Sequence, residues 1–436
     1  MTYPEALQYL NSFVNYEKRD RYDYNKSFKI DRIQKIASLL GNPQDATNAI
    51  HIAGTKGKGS TSAFIYSILK AAGFKVGLYT SPHLASFRER IRINATLISE
   101  EDIVKFLGDV RKALGGIGDS EASFFEVYTA LAYLYFKEKK VDFAVYETGL
   151  GGRLDATNIL KALVSCITPI SYDHMDKLGN TLKQIAGEKA AIIKEGSVCV
   201  SAPQEDEALD VIKKACLEKN ARLILVGRDI KFEEISASDD KEVFNVFGQE
   251  HEYRMLVSKL LGPHQIINAA TAVGVIEAMR FHGIAIPPEC VKRGVESCRW
   301  PGRLEVVSRS PLVVLDGAQN KASALALAAA VKKIFKYKKL ILVLGVSKDK
   351  DLKGILDELL PISDSIVLTK SKIVGRALEP AKMKKFIECK ETFSTSGVEE
   401  ALLRARKLAD PDDLILITGS LFVVGEARER LCPSTN

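Results

Sequence analysis

Between an apolar segment at residues 49–53 and a helical pattern at 61–72 lies Gly54-Thr55-Lys56-Gly57-Lys58-Gly59-Ser60. Few arrangements restrict a fold as strongly. A strand that runs through glycines straight into a helix lets main-chain N–H groups converge at the helix N-terminus, where the peptide dipoles favour an anion and a lysine can reach terminal phosphates. The spacing departs from the general GxxxxGK[ST] pattern: two residues separate Gly54 from Gly57-Lys58, and Gly59 precedes Ser60. A glycine-rich turn beside a solvated lysine is the bland alternative. Strand, glycines, lysine and helix in register favour nucleotide binding.

The rest of the chain extends this pattern. Short β-branched runs at 49–53, 75–80, 142–146, 162–168, 197–201 and 222–226 alternate with helical segments, which predicts a parallel sheet covered on both faces. The rhythm breaks at 228–261, read as antiparallel β-structure attached to the first domain, before helices at 265–282 and 288–297. Strands at 312–315, 340–344, 366–369 and 414–418 follow Trp300-Pro301-Gly302-Arg303. The expected architecture is therefore α/β. A P-loop-type ATPase domain with a small antiparallel insertion spans 1–299, and a Rossmann-like α/β domain spans 300–436.

With 46% hydrophobic and 27% charged residues in 436, the chain has the balance of a folded globular protein. No apolar run reaches the ~18 residues of a membrane span, and the N-terminus lacks the pattern of a secretion signal. Seven cysteines (Cys166, Cys199, Cys216, Cys290, Cys298, Cys389, Cys432), scattered and without CxxC spacing, predict neither disulfides nor a zinc site and fit the cytoplasm. The net charge of +7 is interspersed with acidic residues, which suits anionic small molecules better than nucleic acid.

Chemistry-bearing residues recur where strands end. The second run leads into Thr80-Ser81-Pro82-His83, and Arg88-Glu89-Arg90-Ile91 follows; alone, this reads equally as a functional segment and as a turn with a solvated charged face. The run at 142–146 ends in Glu147, where a parallel sheet presents ligands and where a phosphate-bound Mg²⁺ needs oxygen. A cap in an ordinary loop is the alternative. His174, in Asp173-His174-Met175-Asp176, has meaning only beside Glu147. Lys189 sits among small and apolar residues of Gly187-Glu188-Lys189-Ala190-Ala191-Ile192. It is either a solvated helical lysine or one made reactive by its surroundings.

Together, HIAGTKGKGS, TSPHL with RERI, ETGLGGRLDATN, DHMDKLG, GEKAAIIK, PGRLE, DGAQN, GVSKDKD and GSLFVVGE resemble the ATP-dependent Mur ligase superfamily, in detail its folate branch. The resemblance implies that Thr55, Lys56, Gly57, Lys58, Gly59 and Ser60 hold ATP phosphates, with Asn268, Arg303 and Asp316 touching nucleotide from across the cleft. It implies two Mg²⁺ sites, one on Ser81 and Glu147 and one involving Glu147 and His174, with Lys189 carbamylated. Lys58, Lys189 and His174 would carry the chemistry. Ser123, Phe124, Phe125 and Glu126, with Leu154, Asp155 and Ala156, would border a pterin pocket, and Gln319 and Ser420 would lie at the substrate. Two departures stand out: the family's Asp-x-Ala-His-Asn-Pro reads Asp316-Gly317-Ala318-Gln319-Asn320-Lys321, and Lys56 replaces an asparagine common in bacterial members.

The implied reaction is amide formation. ATP phosphorylates a carboxylate of tetrahydrofolyl-polyglutamate, and by extension of dihydropteroate, and L-glutamate displaces phosphate from the acyl phosphate. A hinge at 300–303 would close the cleft against water. The expected partners are ATP, L-glutamate and the pterin substrate, with neither nucleic acid nor membrane, and the expected assembly is a monomer. Other readings are a ligase acting on a UDP-muramoyl peptide, which needs more than the roughly 50 residues ahead of the phosphate loop, a nucleotide switch that hydrolyses ATP without ligating, and a nucleic-acid-binding module.

Overall fold

The computed structural model describes residues 1–19, 22–115, 122–372, 375–388 and 390–432. Eight strands form the first sheet: β1 (Asn48–Ala53), β2 (Val76–Tyr79), β3 (Ile91–Ile93), β4 (Thr96–Leu97), β5 (Phe143–Glu147), β6 (Ala162–Ile167), β7 (Val198–Ser201) and β8 (Arg222–Leu225). Their order is β4-β3-β2-β5-β1-β6-β7-β8. The six from β2 to β8 run parallel, while β3 and β4 add an antiparallel edge. All six expected runs are strands, shifted by at most two residues, because apolar residues buried on both faces leave few alternatives. The edge pair β3–β4 was not foreseen from its charged lead-in.

The helix Lys58–Ala71 begins three residues earlier than the apolar period suggests. Gly57 is its N-cap at φ 83°, so Lys58, Gly59 and Ser60 occupy the first turn, and Ile65, Ile68 and Leu69 pack into the core under the sheet. It is crossed closely by the helix Pro288–Ser297, where a Cβ on Gly294 would overlap Ile68.

Residues 228–261 contain the expected antiparallel element: β9 (Lys231–Ala237), β10 (Glu242–Phe247) and β11 (Glu252–Ser258), ordered β11-β10-β9. Phe244, Val246 and Leu256 bury against the helix Pro263–Ala278, and the Glu277 carboxylate accepts from Gln249 N, His251 N and Tyr253 Oη. That helix continues as a 3₁₀ turn, Met279–His282.

The third sheet holds β12 (Glu305–Arg309), β13 (Leu312–Leu315), β14 (Leu340–Leu344), β15 (Ser365–Leu368), β16 (Glu391–Ser394) and β17 (Leu414–Thr418), in the order β12-β13-β17-β14-β15-β16. All but β12 are parallel. Alternate residues feed two cores: Val314 and Leu342 on one face, Val313, Leu315 and Val343 on the other. Among the described residues six cysteines are free thiols, and no helix is long and apolar enough to cross a membrane; Cys389 lies outside the described residues.

Candidate active site

β1 is the strand about which the first sheet changes winding direction, with β5 on one side and β6 on the other, and ligand clefts form at the carboxyl ends of such strands. The phosphate loop leaves β1 there. Thr55 N and Lys56 N both donate to Pro169 O, at 3.0 and 3.1 Å, and Thr55 Oγ1 donates to Ser171 O at 3.2 Å, which ties the loop to the segment after β6. Gly54 (φ 154°) and Gly57 (φ 83°) are required sterically, since a Cβ would overlap Thr168 Oγ1 at the first and Asn268 Oδ1 at the second. The N–H groups of the first helical turn lack intrahelical acceptors, and residues 55–60 line the cleft.

Two lysines converge on this loop. Lys58 Nζ donates to Gly54 O at 3.2 Å, and Lys189 Nζ donates to the same oxygen at 2.8 Å. Lys189 is buried on the helix Leu182–Ala190; burial first, then the charge of Lys58, pushes its ammonium down to about 7. Lys189 is therefore not a solvated helical lysine.

Across the cleft, the third sheet and its lead-in bring Arg303, Asp316 and Gln319, whereas Asn268 stands beside the phosphate loop, its Oδ1 accepting from Thr61 Oγ1 at 3.5 Å. Asn268, Arg303, Asp316 and Gln319 line the same cavity as the phosphate loop, together with the apolar Ile267, Ala326 and Leu327. Asp316 accepts from Leu304 N and Ala318 N, both at 2.9 Å, so its carboxylate fixes the turn that presents Arg303.

Ser81 and Glu147 adjoin at the ends of β2 and β5, where Glu147 Oε2 accepts from Ser81 N at 3.3 Å. Burial pushes the Glu147 carboxyl up, against the charges of Lys58 and Arg303. A hydroxyl and a carboxylate beside the phosphate loop are hard oxygen donors that fit a phosphate-bound Mg²⁺ retaining several waters. Among the described residues no three His, Cys, Asp or Glu side chains are grouped for a metal. His174 lies with Ser81, Pro82 and Gln319 in an adjoining cavity whose lining does not include Glu147. Burial and then Lys350 push its imidazole down to about 3, which leaves it neutral with lone pairs available.

Several expected pocket residues are spent on the fold. Ser123 and Glu126 cap their own helix: Ser123 Oγ donates to Glu126 Oε2 at 2.6 Å, and Glu126 Oε1 pairs with Arg32 Nε at 2.7 Å. Phe124 is wholly buried and stacks on Tyr128, so Phe125, over Gly149, is the ring that faces the cleft. Leu154 packs against a core cluster and Ala156 is buried in another. Asp155 is also buried, and its carboxylate accepts from Gly149 N and Leu150 N at 2.8 and 3.0 Å and from Thr157 Oγ1 at 2.5 Å. It braces the loop that follows Glu147. Ser420 caps the helix Leu421–Leu431 by accepting from Phe422 N, and Leu421 and Phe422 line the cavity in its place. Lys56 Nζ turns to Asp173 at 2.9 Å.

Sequence reasoning missed three groups. Asp173, Asn320 and Lys350 meet across the cleft, although all three stood inside quoted motifs. Tyr16, Tyr22 and Phe28 form an aromatic wall, with ring centroids 4.7 and 5.2 Å from Tyr16, in a segment that had no readable period. Arg90, whose segment reads equally as functional and as a solvated face, is 1% exposed and donates to both carboxylate oxygens of Glu17 at 2.8 and 2.5 Å.

Known proteins share this arrangement. The family model for the Mur ligase middle domain matches residues 52–276, and that for the Mur ligase glutamate ligase domain matches 302–421. The Bacillus subtilis protein named dihydrofolate synthase/folylpolyglutamate synthase is 36% identical over 414 residues, covering 92% of this chain and 94% of its own. The structure of Mycobacterium tuberculosis folylpolyglutamate synthase complexed with ADP superposes with a TM-score of 0.91 at 32% identity, covering 100% of this chain and 99% of that one. That of E. coli FolC in complex with DHPP and ADP gives 0.88 at 28% identity, covering 99% and 98%. The chain therefore belongs to the Mur ligase family, in the branch of the folylpolyglutamate and dihydrofolate synthases.

Proposed function

We propose that this protein joins L-glutamate to the carboxylate of a folate, tetrahydrofolyl-polyglutamate, and of dihydropteroate, at the expense of ATP and through an acyl phosphate. One observation carries the reading: the phosphate loop, with Lys58 on it and Lys189 beneath, opens on a nucleotide-sized cleft that meets a second, aromatic-walled cavity at Ser81, Pro82 and Gln319. That is the geometry for bringing an acceptor carboxylate to a γ-phosphate.

The phosphate oxygens rest on the N–H groups of residues 57–60, and Lys58 follows the charge that develops on the transferring phosphoryl group. Losing that cation costs on the order of 3 kcal/mol in the transition state. Arg303 and Asp316 hold the nucleotide from the far wall, and Asn268 from beside Gly57. Phe125 and the Tyr16, Tyr22, Phe28 wall offer faces on which a flat pterin stacks. Ser81 and Glu147 would hold one Mg²⁺, and Glu147, His174 and a carbamylated Lys189 would share in a second; such ions neutralise the repulsion between carboxylate and triphosphate. We divide the chain at 299/300, so that residues 1–299 carry ATP and 300–436 bring the amine. The two units then close over the acyl phosphate and exclude water. The free thiols among the described residues support a cytoplasmic setting, and a monomer rests on the family resemblance alone.

The test is ADP release with glutamate and acceptor supplied separately and together. A ligase requires both, and ADP release independent of either would leave only an ATPase.

A further inference from the structure

Asp173 gathers side chains from three motifs. Its Oδ2 accepts from Lys56 Nζ of the phosphate loop at 2.9 Å and from Asn320 Nδ2 at 2.8 Å, and its Oδ1 faces Lys350 Nζ at 3.5 Å. Lys56 and Asp173 follow strands β1 and β6 of the first sheet, whereas Asn320 and Lys350 follow β13 and β14 of the third. The cluster is therefore a bond between the two units, and it is largely withdrawn from solvent, with the Lys350 side chain 6% exposed and that of Asp173 12%. Asn320 is divided in its duties. Its Oδ1 accepts from Ser323 N at 3.0 Å and caps the helix Lys321–Ile334, which leaves Nδ2 to reach across the cleft.

The same two units are joined elsewhere by a different kind of contact. Leu261, at the end of the antiparallel insertion, is buried in the core of the third sheet, and the exposed pairs Lys333–Glu234 and Arg309–Asp239 flank it. Apolar burial there resists separation. Charge-assisted hydrogen bonds at Asp173 can be exchanged for water when the cleft opens and re-formed when it shuts.

We propose that Asp173 is a positioning residue, a latch that seats Asn320 and Lys350 against the phosphate loop and so sets the closed cleft, with Lys56 fixing the latch rather than binding phosphate. The contact through Leu261 is the side about which the units move. A cleft that must admit substrates and then exclude water needs one contact that yields and one that holds.

The experiment is a polarity swap. Asn320→Asp keeps the capping oxygen for Ser323 N but sets two carboxylates face to face, and the pair Asp173→Asn with Asn320→Asp restores the hydrogen bond between these two positions in the reverse sense, at the cost of the bond from Lys56, which shares Asp173 Oδ2. The distance between spin labels on Leu217→Cys and Leu403→Cys, both exposed, is measured with Cys389 and Cys432 replaced by serine. Asn320→Asp is expected to gain a more separated population and to lose at least tenfold in turnover, with ADP affinity changed less than threefold. The swapped pair is expected to recover the short distance and at least half of the turnover. Asn320→Ser, which keeps a cap but is too short to reach Asp173, should fall between. A wild-type distance distribution in Asn320→Asp, a swapped pair no more closed than the single variant, or a tenfold loss of ADP affinity would each overturn the proposal. The turnover arm rests on the ligase reading above, whereas the distance arm does not depend on any substrate.

Discussion

Lys58 and Lys189 aim their ammonium groups at one acceptor, the main-chain oxygen of Gly54, from 3.2 and 2.8 Å. One carbonyl cannot neutralise two cations, and the buried member yields: Lys189 is pushed down to about 7 by burial and by the neighbouring charge. Lowering the ammonium in this way raises the share of neutral amine near physiological pH, and CO₂ reacts with the neutral form, its carbon bonding to Nζ as a proton leaves. Carbon-13 NMR of the native enzyme in labelled bicarbonate is expected to show a carbamate resonance that Lys189→Ala abolishes. That variant should be nearly inactive and partly rescued by acetate. An active enzyme without the resonance when freed of CO₂ would refute the modification.

Gly54→Ala tests the loop's steric logic. Its Cβ would overlap Thr168 Oγ1, on a backbone at φ 154° that side chains rarely adopt. The conformational cost alone is on the order of 1–3 kcal/mol. Nucleotide affinity, measured by titration calorimetry, should fall at least tenfold. Thr168→Ala should recover part of it by removing the hydroxyl, and the double variant measures that coupling.

The Glu17–Arg90 pair predicts an acid-sensitive N-terminal segment. Burial opposes ionisation of Glu17, but the charge and hydrogen bonds of Arg90 outweigh it and hold the carboxyl below its usual 4.5. The stabilisation is thus complete above that value and is lost as pH falls through the lower folded-state value. The melting temperature of Glu17→Gln should fall less steeply below about pH 4.5 than that of the wild type. At neutral pH the variant leaves the buried Arg90 without its counter-charge, though still bonded to His83 Nδ1 at 2.8 Å, at a cost of about 3 kcal/mol read by urea unfolding.

Gln319 lines both cavities at the position where the family's motif has histidine. A neutral amide can donate and accept hydrogen bonds but carries neither proton nor charge. Gln319→His should stay active and change chiefly the pH profile or the KM for glutamate. If Gln319→Ala matched the wild type in both, the side chain would be a spacer.

How far the sequence could be read followed the range of the interactions involved. The path from β1 through Gly57 into its helix depends on residues adjacent in the chain, and so does Glu147 at the end of β5. Both were legible. Ser123 and Glu126 carry a local capping signal, S-x-x-E, but their motif match drew attention to a pocket instead. Arg90 reads equally as functional and as solvated because its partner, Glu17, lies 73 positions away, and Asp173 meets Asn320 147 positions on. No period or spacing encodes such pairings, which exist only once three sheets have been packed.

The most direct test of the proposed chemistry follows an oxygen atom. With the acceptor carboxylate labelled in ¹⁸O, carboxylate oxygen attacks the γ-phosphorus, and glutamate nitrogen then displaces it from the acyl carbon. Inorganic phosphate released in step with amide formation should carry one ¹⁸O, in an amount equal to the ADP formed. Phosphate that draws its new oxygen from water, with both labelled oxygens retained in the folate, would contradict an acyl phosphate and with it the account of this site.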